Sequence, residues 1–200
     1  MKFILASDSP RRAELLLQSG YVFEIRPPDL DESKVFADSP GELAQRLAVA
    51  KTAKVAEKSP DDVVLAADTL VCLGEQVLGK PVDANDARRM LQLLSGTTQV
   101  VITGVCVVRK SADYQQTSKV MSAVRMNNLT AEQIQHYIDS GEWQGKAGGY
   151  GIQDNDSFVT RIAGSHTNIV GLPMAMAREM LQRAGIMPAA TPHPSVPVKD

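Results

Sequence analysis

Short, uniformly apolar runs alternate with longer stretches in which apolar residues recur every three or four positions, a pattern that predicts interleaved strands and helices. Residues 3–6 (Phe-Ile-Leu-Ala) are all apolar, as in a strand buried on both faces. Ser9-Pro10 then reads as a helix start, with Ser at the N-cap and Pro at the first helical position. That helix carries Ala13, Leu15, Leu16 and Leu17 before Gly20 stops it. A second strand is expected over 21–25, ended by Pro27-Pro28. Ser39-Pro40-Gly41-Glu42 has the spacing of a capping box and opens a helix to about residue 58. Residues 63–67 form another doubly buried strand, expected to close at Asp68. Gly74-Glu75 reads as the turn of a hairpin between 70–73 and 76–78.

Further along, 84–94 is helical and stopped by Ser95-Gly96, and extended segments are expected near 100–108 and 119–126. Thr130-Ala131-Glu132-Gln133 is a second capping box, opening a helix that ends at Gly141. Strands are expected at 158–162 and 167–170, then a last helix over 173–184. This alternation predicts an α/β or α+β domain with a mixed sheet. From Met187 onward lie four of the eleven prolines and no periodic apolar pattern, so residues 187–200 are expected to be a flexible tail to a domain of residues 1–186.

Composition narrows the classes. Hydrophobic residues make up 44% of the chain and charged residues 22%, enough for one sizeable core. Only 4% are aromatic, so that core is aliphatic. A net charge of -2 argues against a nucleic-acid polymer as partner, yet a small anion needs only a local cluster of Lys and Arg. Cys72 and Cys106 sit far apart inside apolar runs, which predicts buried free thiols in a reducing compartment. Polar residues interrupt the first apolar run at once, so neither a signal peptide nor a membrane span is expected, and a cytoplasmic protein is.

Several clusters have the residue types that chemistry needs. Ser7-Asp8-Ser9-Pro10-Arg11-Arg12 joins a strand to a helix, and a helix start presents unpaired N–H groups that favour an anion. Two hydroxyls and two guanidiniums there make a phosphate cradle, since Arg matches phosphate oxygens with paired donors. The alternative is a capped helix with two solvent-facing arginines. Asp68, closing a buried strand, occupies the place where α/β folds put ligands, and could hold a divalent cation or accept a proton from water. It could equally start a turn. Leu43, Leu47 and Lys51 are spaced by four, which directs Lys51 along the apolar stripe of its helix, although Lys54 projects close by and either could snorkel.

Lys80 lies between Gly79 and Pro81, and Lys146 opens a Gly-rich stretch ending at Gly151. That stretch lacks the spacing of a P-loop or a dinucleotide fingerprint. Asp29, Asp31 and Glu32 form an acidic, Pro-bounded loop that could contribute to Mg²⁺ binding, with Asp29 and Asp31 read as solvated. His136, His166 and His193 show no metal-ligand spacing and read as surface residues, and Trp143 reads as packing.

The order of these pieces is more specific than any one of them. Leu5-Ala6-Ser7-Asp8-Ser9-Pro10-Arg11-Arg12, Asp31-Glu32, Leu47-Ala48-Val49-Ala50-Lys51, Ala67-Asp68-Thr69 and Gly79-Lys80-Pro81 follow one another. Ser95-Gly96, Thr103-Gly104-Val105, the string from Lys146 to Gln153 and Val170-Gly171-Leu172-Pro173 complete the series. Over residues 1 to about 186 this resembles the Maf family of nucleoside triphosphate pyrophosphatases, also called septum-formation inhibitors. The resemblance implies an α/β fold with a mixed twisted sheet, flanking helices and two lobes around a deep cleft, related to the inosine triphosphate pyrophosphatases. It also implies a cytoplasmic homodimer dependent on Mg²⁺ or Mn²⁺.

Carried over by motif, Asp68 would be the proton acceptor, with Ser9, Arg12, Glu32, Lys51 and Lys80 around the triphosphate and metal. Glu32 and Asp68 would hold the cation. Arg12, Thr69 and Gln153 match the family's substrate-selecting positions and resemble the branch acting on dTTP and UTP. Two departures bear on the base pocket: Gln99 stands where the family often has His, and Asp154-Asn155-Asp156 follows Gln153 in a shorter loop. The alternatives are a general or 7-methyl-GTP-directed pyrophosphatase, or a nucleotide-binding regulator of cell division with little turnover.

Overall fold

The computed structural model describes residues 1–153 and 158–189. The segment after Gln153 whose shortening is noted above, and the tail from residue 190, lie outside the described residues. Seven strands form one mixed sheet in the order β2-β1-β3-β5-β6-β7, with β4 on β3. They are β1 (Phe3–Leu5), β2 (Glu24–Ile25), β3 (Val63–Leu73), β4 (Gln76–Leu78), β5 (Thr98–Arg109), β6 (Tyr114–Met126) and β7 (Val159–Ala163). The helices are α1 (Pro10–Gln18), α2 (Pro40–Ala56), α3 (Ala84–Leu94), α4 (Ala131–Ser140), α5 (His166–Val170) and α6 (Met174–Arg183).

β3 organises the molecule. Along one edge it pairs antiparallel with β5 from Val64 to Cys72. Along the other, β1 pairs in parallel with Val63 to Leu65, and β4 takes Val71 to Leu73. Between them, residues 66–70 have a neighbouring strand on one side only, and this gap in the edge is the floor of a cleft. β1, β2, α1 and α6 build the wall on one side of it; β4, α3 and α4 build the other. The sequence places Asp68 at the end of a strand, and the structure corrects this: Asp68 is mid-strand, because β5 continues to satisfy the β3 backbone after β1 lets go.

Side-chain alternation along β3 sorts its residues between two faces. Leu65 and Ala67 join the core under α1 and α6, and Val71 joins the core under α3 and α4. Val64 and Ala66 pack beneath α2 with Ile4, Ala48 and Cys106, and Leu70 and Cys72 continue that row. Asp68 therefore falls in the row facing α2 and Thr69 in the opposite row.

Local signals explain most helix ends. Thr130 and Gln133 make both bonds of a capping box, and Gly141 ends α4 at φ 72°. Ser39 caps α2 by accepting from the Glu42 N–H at 3.2 Å. Ser9 stands at the N-cap of α1, but its side chain makes no capping bond. Two strand expectations fail. Residues 167–170 belong to the short helix α5, where the Ser165 hydroxyl accepts from the Asn168 N–H and Gly171 ends the turn. Of residues 21–25 only Glu24–Ile25 pair as a strand, while Tyr21 turns into the core. Where the sequence predicts the tail to begin, the described residues run on to Ala189, whose N–H donates to the Gly20 carbonyl at 2.8 Å.

Candidate active site

The cleft over the β3 gap has a volume of about 410 Å³. On the α2 side three charged groups converge. Lys51 is 6% exposed, and α2 drives it between two carboxylates. Its ammonium donates to Asp68 Oδ1 and lies 2.8 Å from Glu32 Oε1. Asp68 is itself buried, whereas the Glu32 side chain is half exposed at the rim. Lys54, the competing candidate, is exposed. Asp31 turns away to Ser33 and Lys34, so of the acidic loop only Glu32 reaches Lys51.

On the other side of β3, Arg12 is held by three acceptors from three parts of the chain. Nε donates to the Gly171 carbonyl at 2.7 Å, Nη1 to the Ser7 hydroxyl at 3.2 Å and Nη2 to the Thr69 hydroxyl at 3.1 Å. That fixes the fork and leaves one N–H on each Nη without an acceptor among the described residues. Burial pulls the Arg12 pKa below its ordinary value and the Asp68 carboxylate opposes the shift. A guanidinium remains charged at neutral pH all the same. Ser7 also accepts from the Ser9 N–H at 3.1 Å, which sets the loop that enters α1.

The far wall is a pair of loops tied together. The Gly148 N–H donates to the Gly79 carbonyl at 2.9 Å, which ties the Gly-rich stretch to the Gly79-Lys80-Pro81 turn. Gly149, at φ 73°, lets the backbone approach Pro81. Lys80, Lys146 and Gln153 line the cleft from this wall, Lys80 and Gln153 exposed. Arg11 crosses the mouth from α1 and donates to the Gly145 carbonyl at 3.1 Å. All eleven residues predicted for the site, from Ser7 to Gln153, thus line one cleft.

Gln99 does not line it. Fully buried, it donates to the Leu94 carbonyl at 3.0 Å and accepts at 3.5 Å from Tyr150, which does. Cys72 and Cys106 are buried free thiols, His136 and His166 are exposed, and Trp143 packs with its indole N–H on the Ile138 carbonyl; His193 lies outside the described residues. Sequence reasoning gave no role to Tyr150, Thr103, Asn168 or the Gly171 carbonyl. Thr103 and Gly171 stood in quoted motifs, but only the fold shows them meeting behind Arg12 and Thr69.

The donor set suits a hard divalent cation. Glu32 and Asp68 already point at one position of positive charge, and Mg²⁺ takes one or two protein carboxylates and completes its shell with water and phosphate oxygens. Among the described residues there is no group of three or more His, Cys, Asp or Glu that would form a full protein cage. Nor is any described helix long and apolar enough to cross a membrane.

A strand with one open edge, an acid–amine–acid cluster on one face and an anchored arginine on the other define an α/β protein built to hold a small anionic ligand. A family model described as Maf-like protein matches residues 2–184, and the chain belongs to that family. It is 49% identical over 185 residues to a dTTP/UTP pyrophosphatase of Roseobacter denitrificans, covering 92% of this chain and 97% of that protein. Proteins of the same name from Cereibacter sphaeroides and Symbiobacterium thermophilum are 47% and 44% identical, covering 93% and 92% of this chain and 96% and 94% of theirs. Among solved structures, the Ham1 protein of Staphylococcus aureus overlays 64% of this chain and 73% of its own at 13% identity and a TM-score of 0.45.

Proposed function

We propose that this protein hydrolyses dTTP and UTP to the monophosphate and pyrophosphate, with Mg²⁺ or Mn²⁺ as cofactor. The convergence of Glu32, Lys51 and Asp68 at the open edge of β3 carries the reading. It supplies a buried carboxylate, a second carboxylate and a fixed cation within one cleft. The names of the relatives supply the reaction and the bases.

In this mechanism the nucleotide lies across the β3 gap. The triphosphate occupies the side of Glu32, Lys51 and Asp68, and the base the side of Thr69, Val71, Val101 and Gln153. Arg12 stands at the junction, its charge toward the phosphates. Ser9, Arg11 and the uncapped first turn of α1 add donors along the anion. Asp68 accepts the proton of the water that attacks the α-phosphorus. The bond from that phosphorus to the bridging oxygen breaks, and pyrophosphate leaves toward Lys80 and Lys146. A divalent ion bound by Glu32 and Asp68 would supply charge neutralisation at the phosphoryl oxygens. The remainder is positioning and fixed electrostatics, which suffices for phosphoryl transfer to water.

The same reading makes the protein a cytoplasmic enzyme, in keeping with its two free thiols, and a homodimer as the family resemblance implies. Its test is pyrophosphate release from a panel of dTTP, UTP, CTP and 7-methyl-GTP with Mg²⁺ or Mn²⁺. Asp68→Asn is expected to lower kcat at least about 100-fold, the scale of a positioned general base, with an unchanged fold. Near-wild-type turnover by that variant would remove Asp68 from the reaction.

A further inference from the structure

We infer that Thr103, one layer behind the cleft, is a positioning residue that fixes Thr69 as a hydrogen-bond acceptor, so that the site takes pyrimidines with hydrogen on N3 and rejects those whose N3 is a bare acceptor. This deepens the reading of the cleft as a dTTP/UTP site and rests on it.

Each threonine hydroxyl has one proton to donate. Thr69 and Thr103 stand directly opposite each other in the β3–β5 ladder, their hydroxyl oxygens 3.0 Å apart. Either could donate in isolation. Their other partners decide. Arg12 Nη2 has only hydrogens to offer, so the Thr69 oxygen accepts from it. The Asn168 carbonyl, 3.1 Å from the Thr103 hydroxyl, can only accept, so Thr103 spends its single proton there. The bond between the threonines must then run from Thr69 to Thr103. The polarity is Arg12 to Thr69 to Thr103 to the Asn168 carbonyl, each link polarising the next.

The end of the chain is pinned. Asn168 is fully buried, and its amide donates to the Val101 carbonyl at 3.1 Å and the Ser122 hydroxyl at 2.9 Å. Its main-chain carbonyl, the one that accepts from Thr103, therefore stays in place. Among the described residues the other acceptor near Thr69 is the Gly171 carbonyl, at a longer 3.5 Å and already taken by Arg12 Nε at 2.7 Å. The Thr103 oxygen at 3.0 Å therefore holds the Thr69 proton. Thr103 is fully buried behind the cleft, so Thr69 turns its proton away from the ligand. What it shows the cleft is a lone pair, flanked by Arg12, which shows only hydrogens. Uracil and thymine present a carbonyl, an N3–H and a second carbonyl along that edge, which matches. Cytosine presents a lone pair at N3, which opposes the lone pair of Thr69.

Replacing Thr103 by Val keeps the shape and removes the acceptor. The Asn168 carbonyl is not orphaned, because it also accepts from the Gly171 N–H at 3.1 Å. The Thr69 hydroxyl becomes free to turn outward and donate to cytosine N3. The experiment measures kcat and KM for UTP and CTP on the wild type, Thr103→Ser, Thr103→Val, Thr69→Val and the double valine variant. Thr103→Val is expected to lower the UTP-to-CTP ratio of kcat/KM about tenfold, the scale of one buried hydrogen bond, mainly through KM for CTP. Thr103→Ser restores the ratio, and in the Thr69→Val background Thr103→Val changes it no further. An unchanged ratio in Thr103→Val, or equal loss for both nucleotides, overturns the inference.

A second measurement needs no variant and keeps the N3–H requirement, on which the inference stands, open to refutation if Thr103→Val does not fold. With wild-type enzyme the alkaline limb of kcat/KM follows the ionisation of the substrate's N3–H, so for 5-fluoro-UTP, a more acidic imide, it begins at lower pH than for UTP. Coincident limbs sink the inference. Failure of the wild type to release pyrophosphate from UTP at all sinks the proposed function instead.

Discussion

Gly104 lies opposite Asp68 in the β3–β5 ladder, with the backbone of α2 lying directly over it. A Cβ added there would meet the Ala44 carbonyl oxygen at 2.2 Å and the Gln45 nitrogen at 2.6 Å, both backbone atoms of α2. Real Cβ contacts essentially never fall below 3.0 Å, so Gly104→Ala forces the helix back by about 0.8 Å. α2 also carries Lys51, two turns further on, whose ammonium must reach both Asp68 and Glu32. The overpacking is expected to cost about 1–3 kcal/mol. For a chain of this size each kcal/mol moves Tm by roughly 2–4 °C. Misplacement of a catalytic group by close to 1 Å costs on the order of 100-fold in rate. Thermal melts and kcat/KM for UTP should show both effects together in Gly104→Ala. An alanine enzyme with unchanged Tm and kcat/KM within about twofold of wild type would refute the claim that this glycine sets the height of α2.

Two further expectations follow from burial and charge. Burial raises the pKa of both Cys72 and Cys106, suppressing the thiolate, so neither should be alkylated by iodoacetamide at neutral pH until denaturant is added; mass spectrometry would reveal fast labelling of the folded protein if this were wrong. Asp86 accepts from Arg89 and from the Val82 N–H, which hold its carboxyl below the ordinary range. Its folded pKa lies below the unfolded one, so its stabilisation is present above the unfolded value and lost as pH falls through the folded value. Urea midpoints across the acid range should fall less steeply for Asp86→Asn than for wild type.

Where structure is written in local chemistry, the sequence could be read. The 84–94 helix has its stop in the adjacent Ser95-Gly96, and α4 has its capping box and terminal glycine in place. Lys51 was legible as a cation on an apolar stripe because helical spacing alone put it there. What could not be read depends on which strand pairs with which. Asp68 looks like a strand terminus because apolar residues stop, yet β5 carries the ladder through it. Residues 167–170 are β-branched enough to suggest a strand, but a Ser165 cap and the packing of Asn168 against β5 and β6 make them a helix. The roles of Thr103 and the Gly171 carbonyl were invisible for the same reason. Thr103 lies 34 positions from Thr69, and only the register brings their hydroxyls together.

The gap in the edge of β3 also limits how the cleft can move. Its two walls are not joined by a flexible linker; β3 and β5 run unbroken beneath both. Opening by a hinge would require bending the three-stranded β3-β5-β6 ladder across the residues that hold Asp68 and Thr69. The motion left to the protein is in the rim: the Arg11–Gly145 tie, the Gly-rich loop and the Glu32 turn. A ligand therefore meets a floor on which Asp68 and Thr69 are already in place, and little ordering entropy need be given up beyond that of the rim and the ligand itself.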